Sequence, residues 1–218
     1  TFQYCILQGA YWASFCIIYS FATVFLLDRG FSNSQIGVII AAGNILGVVL
    51  QPVFASIVDW SKTITLHKLT GILAAIMALL VLFLYVLPNL FFAVVLLFLM
   101  TDTLLQVIQP LINSVSVYYV NKGINVDFGA ARGIGSLSYA AASYLLGGLV
   151  ERYGCSVILV AGFLMITIIS ATVFSMPIIK EAAEEVCAKS LQDTPSHTIS
   201  QESKEKESIF FFIGRYKY

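Results

Sequence analysis

Charge is scarce in this chain. Lys and Arg total 12 and Asp and Glu total 12 in 218 residues, so charged side chains make up 11% and the formal net charge is zero. An ordinary soluble domain carries about 25% charge. The even balance excludes the basic footprint of a nucleic-acid binder and gives no sign of an acidic partner. Histidine is scarcer still: His67 and His197 are the two present, and both lie outside the long apolar runs. Those runs hold no HExxH, no Ser/His arrangement and no carboxylate pair, the groups on which metal-assisted or acid–base chemistry depends. The chain is therefore expected not to be an enzyme. Cys5, Cys16, Cys155 and Cys187 form neither a CxxC nor a metal-ligand spacing, so neither a metal nor a cofactor is expected.

Apolar residues are abundant instead, at 59% of the chain, with a mean hydropathy of +0.89. A run of about 20 apolar residues is long enough to cross a bilayer. Six such runs are predicted as spans, at 2–27, 34–57, 69–87, 90–118, 129–150 and 155–176. Turn chemistry separates them: Asp28 to Asn33, Pro88-Asn89, Asn121 to Asn125, and Glu151 to Gly154. Lys62, Lys68 and Lys122 lie in the loops after spans two and four, and Lys180, Lys189, Lys204 and Lys206 follow span six. The opposite loops hold Arg29 and Arg152. By the positive-inside rule both ends of the six-span unit are expected in the cytoplasm of a cell-membrane protein.

Residues 177–208 turn polar and charged and are expected to form a cytoplasmic linker. Residues 209–218 open a new apolar segment, read as the start of a seventh span. With Thr at its first position, the chain reads as a fragment: a 1–176 bundle, the linker, and a truncated helix.

Polar side chains inside the spans carry the functional signal. Asp102, Gln106, Gln109, Asn113 and Ser116 are spaced 4, 3, 4 and 3 apart, which places them on one helical face. A charged group at membrane depth costs about 2.5–3.5 kcal/mol on insertion scales, so that face is expected to line a water-filled path or polar site. Span one adds Tyr4, Gln8, Tyr11, Trp12, Phe15 and Tyr19 on a face; span two adds Asn44 and Gln51; span five adds Arg132, Ser136, Tyr139 and Ser143. Spans three and six are almost featureless. Trp12 and Tyr139 are of the type that stacks on the apolar face of a sugar or base. Arg132 serves either a site or the headgroup region by snorkelling. Asp102 has three readings: an interhelical contact, a proton or ion coupling group, and a direct solute contact.

The alternation of polar and plain spans suggests a 3+3 arrangement. Gly43 precedes Asp59 by sixteen residues in span two, and Gly135 precedes Glu151 by the same distance in span five. Two three-helix units of opposite topology are a transporter architecture.

Three stretches carry a family resemblance: Gln35-Ile36-Gly37-Val38-Ile39-Ile40-Ala41-Ala42, Leu50-Gln51-Pro52-Val53-Phe54 through Asp59, and Asp127-Phe128-Gly129-Ala130-Ala131-Arg132 with Gly135. With them the chain resembles the amino-terminal half of a major facilitator superfamily transporter. More narrowly it is similar to the lactose permease type of oligosaccharide or nucleoside proton symporter. The resemblance implies an all-α six-helix membrane bundle with a 3+3 inverted repeat, half of a twelve-helix transporter, whose partners are the bilayer, a carboxy-terminal six-helix half, a small polar solute and H+. It implies that Arg132 binds solute hydroxyls and that Tyr139, seven residues on, stacks on the solute. Asn113 stands where that family has an acidic partner for the arginine, and Asp102 is a candidate to supply the missing charge. Asp59, Lys62 and Lys68 match the gating loop, with Ala55 where a glycine is usual. Asp59 also reads as a simple helix-end cap. The expected solute-binding set is Arg132, Asn113, Tyr139, Gln109, Gln106, Trp12 and Gln8, in a proton-coupled carrier of a sugar, oligosaccharide or nucleoside. A sensor or assembly scaffold in the membrane is the competing expectation.

Overall fold

The computed structural model describes residues 2–60, 65–88 and 90–177, with the side chain of Asp59 outside that set. The linker and seventh-span expectations, and Lys62, fall outside the described residues. Within them the chain is helical throughout: α1 (Phe2–Phe15), a π-helical turn (Cys16–Ser20), α2 (Ala22–Asp28), α3 (Asn33–Trp60), α4 (Leu66–Val86), α5 (Phe91–Asn121), α6 (Phe128–Tyr153) and α7 (Ser156–Ser175). Helices α3 to α7 are each long and apolar enough to cross a membrane, and the first span, bent by 42° after the π-turn, makes a sixth.

Local chemistry sets the ends. Ser32 and Gln35 form a reciprocal capping box at the start of α3: Gln35 Oε1 accepts from the Ser32 amide at 2.9 Å, and Ser32 Oγ accepts from the Gln35 amide at 3.3 Å. Asp127 caps α6 by accepting from the Ala130 amide at 2.8 Å. Gly154 closes α6 with φ +82°, a conformation that a residue with a Cβ adopts only under strain.

His67, which the sequence places before span three, falls inside the first turn of α4. It is buried against the edges of Tyr118 and Tyr119.

The packing order carries the internal symmetry. Helix α1 packs on α6 as α3 packs on α5, α4 packs on α5 as α7 packs on α1, and α4 packs on α7. Exchanging each span with the one three later maps these five pairings onto one another, as a 3+3 repeat requires, while among the described residues the α6–α7 contact has no α3–α4 counterpart of similar extent. The plain helices α4 and α7 meet at the centre of the symmetry. The Phe174 ring lies against Gly71, and Ser170 donates to the Gly71 carbonyl at 3.2 Å.

Glycines set the two equivalent crossings. At the α3–α5 crossing, a Cβ on Gly43 would collide with the Asp102 carboxyl, and one on Gly47 would lie 2.8 Å from Gln106 Cβ. At the α1–α6 crossing, a Cβ on Gly135 would lie 2.5 Å from the Trp12 ring. Small residues admit a large or polar side chain from the neighbour where two backbones approach closely.

Candidate functional site

Two polar clusters lie on the half-exposed side of these crossings. The first joins α1, α5 and α6. Gln8, almost wholly buried, donates through Nε2 to Tyr4 Oη at 2.7 Å and to Asn113 Oδ1 at 3.2 Å. Its Oε1 accepts from Trp12 Nε1 at 3.2 Å. The Arg132 guanidinium carbon lies 3.9 Å from the centre of the Trp12 ring, a stacking distance at which cation and indole attract. Tyr4, Gln8 and Trp12 stand four residues apart on one face of α1, so a single helix row delivers them.

The second cluster joins the π-turn, α3 and α5. Asn44 donates to Tyr19 Oη at 3.2 Å and accepts from Gln106 Nε2 at 2.9 Å. Pro110 gives this cluster its backbone acceptor. A proline inside a helix cannot donate to the carbonyl four residues earlier, here that of Gln106. Gln51 reaches across from α3 and donates to that carbonyl at 3.1 Å. Gln51→Leu is expected to lower thermal stability in detergent by about 1–3 kcal/mol, the cost of a stranded buried polar group. Adding Pro110→Ala, which restores the helical donor, should recover most of it. Equal losses in the single and double variants would show that the freed carbonyl is not what Gln51 satisfies.

An aromatic ladder links the clusters along α1: Trp12 and Phe15 lie 5.4 Å apart, and Phe15 stacks on Tyr19 at 4.9 Å. Beside Tyr19, the Ser20 hydroxyl pairs with Tyr139 Oη at 2.7 Å. Tyr11 turns the other way, buried, and donates to the Leu105 carbonyl at 3.1 Å.

The predicted polar face of α5 divides by depth and neighbour. Gln106, Gln109 and Asn113 are half-buried, and no hydrogen bond from the described residues engages the Gln109 amide. Asp102 and Ser116 are buried, Asp102 to 1% exposure. Of the readings open for Asp102, this arrangement matches the interhelical contact: the close approach of α3 at Gly43 covers the carboxyl rather than leaving it on an open path. Both carboxyl oxygens lack a hydrogen-bond partner among the described residues. Asp102 does not supply a counter-charge to Arg132 either: it faces Gly43 of α3, whereas Arg132 lies over Trp12 of α1.

Tyr139, expected to stack on the solute, is placed on α6 near the π-turn. Its hydroxyl is held at Ser20, and Trp12 takes the place on the guanidinium. Lys68 is exposed in the first turn of α4.

A cavity of about 790 Å³ is an apolar groove among α1, α6 and α7 bounded by Cys5, Gly9, Ile134, Ser138, Leu145 and Met165. It lies on the opposite face of α6 from Arg132 and offers a polar solute little to bind.

Six spans in a 3+3 repeat, with polar clusters on spans one, two, four and five, define a polytopic membrane protein of the major facilitator type. The chain belongs to the MFS_1 like family, whose model matches residues 4–214, and that is a family of transporters. No curated protein and no solved structure matches it.

Proposed function

We propose that this bundle forms one side of an alternating-access pathway for a small polar solute, a sugar, oligosaccharide or nucleoside, moved with protons in the manner of the lactose permease type of symporter. The observation that carries the reading is the cluster of Arg132, Trp12, Gln8 and Asn113. A cation, an aromatic face and amides converge from three spans at a half-exposed position, and such groups hold hydroxylated rings. Gln109 and Gln106 extend the same side along α5, and Tyr139 extends it along α6.

Asp102 is the proposed proton carrier. An ionised carboxyl without a partner is costly in a dry setting and neutralises. Closure of α3 on α5 therefore goes with a bound proton, and release goes with separation of the two helices. Asp59, Lys62 and Lys68 are the proposed gate between spans two and three.

Some features favour a scaffold: Gln106 with Asn44, and Gln8 with Asn113, are pairs between helices. Exposure separates the readings. Single cysteines at 12, 109, 113 and 132 of the full-length protein are expected to react with a water-soluble thiol reagent, and transported solute should slow the reaction. A cysteine at 102 should stay inert, because α3 covers that position. Inertness at the other four positions would overturn the pathway.

A further inference from the structure

Arg132 has no anionic partner among the described residues. Asp102 is sealed in the Gly43 contact, and Asp127 is engaged at the Ala130 amide. Glu151 lies 19 residues along the same helix, about 28 Å away at 1.5 Å per residue. An exposed guanidinium within a span thus stands without a counter-charge among the described residues.

The hydrogen-bond inventory around it is one-sided as well. Trp12 gives its N–H to Gln8, and Gln8 gives its amide protons to Tyr4 and Asn113. Asn113 spends its carbonyl on Gln8, which leaves its NH2 group as the free end. With Trp12 covering one face of the guanidinium, the in-plane N–H groups of Arg132 remain at its edge. The groups left over are positive or donating. A carboxylate or phosphate accepts two parallel, charge-assisted N–H bonds from such an edge, a stronger match than the single bonds a neutral hydroxyl accepts.

We infer that the Arg132–Trp12–Asn113 cluster binds an oxyanion on the solute, so that the carried molecule bears a carboxylate or phosphate beside its hydroxyls. The inference rests on the pathway reading above and narrows its solute class from neutral to acidic. The solute itself supplies the negative charge that Arg132 lacks among the described residues.

Trp12 is the reporter for the test. Glucuronate, glucose 6-phosphate and glucose are titrated into the purified full-length protein, and the tryptophan fluorescence change absent from Trp12→Phe is followed. One or both anions should bind at least about tenfold more tightly than glucose, the smallest gain expected from a hydrogen bond to a charged group. The two anions distinguish carboxylate from phosphate. Arg132→Gln should erase the preference, and Arg132→Lys should keep a reduced one, which guards against a folding artefact. Glucose binding at Trp12 as tightly as both anions would overturn the inference and leave the pathway standing. Silence toward both anions would also overturn it, and the thiol profile then reports separately whether the pathway has failed.

Discussion

Asp102→Asn in the full-length protein is expected to abolish gradient-driven accumulation while solute counterflow continues. Asparagine keeps the shape and fits the same space against Gly43, but it cannot take up or release a proton. The two helices should still close, so exchange of labelled for unlabelled solute across proteoliposomes survives. Accumulation driven by an imposed pH gradient should fall at least about a hundredfold, of the order of the 10²–10⁴ that a positioned proton-transfer group contributes in other settings. Accumulation at the parental level would remove Asp102 from coupling and leave it a packing residue. Asp102→Lys should be worse in a different way, because a longer side chain has no room at this crossing and should prevent assembly.

The second large effect concerns Gly43. Its missing side chain is what lets the carboxyl-bearing turn of α5 meet α3. A Cβ there would overlap the Asp102 carboxyl and lie only 3.3 Å from its Cβ, so rotation of the acid alone does not clear it. Gly43→Leu should leave little folded protein after solubilisation. Gly43→Ala should fold but lose about 1–3 kcal/mol, the usual cost of overpacking a close contact. Combining Gly43→Ala with Asp102→Ala should return part of that loss, seen as a favourable coupling energy between the two sites in thermal unfolding. Strict additivity would place the clash elsewhere.

The six spans were legible because bilayer thickness demands a length of apolar chain that few other structures need. Their breaks were legible at Gly30, Gly123 and Gly154, each with positive φ. The α5 row was legible as a face, since spacing alone determines that. Which part of the face stays open was not, because depth of burial depends on the neighbouring helix, and Gly43 closes one end while Asn113 stays half-exposed. Trp12 was in the expected set, but its contact with Arg132 could not be read from positions 120 residues apart. The π-turn left no compositional sign. One extra residue per turn in an apolar run looks like ordinary helix, and only the backbone reveals it.

That turn has a mechanical consequence. Tyr19 is tied to α3 through Asn44 and Ser20 to α6 through Tyr139, so two neighbouring residues tether the two symmetry-related outer helices. Tightening the π-turn to α-helical pitch would rotate the backbone beyond it by roughly one residue's worth, about 100°. Both tethers would part in that single event. The paired outer helices thus each hold one hydrogen bond to the same irregular turn of backbone.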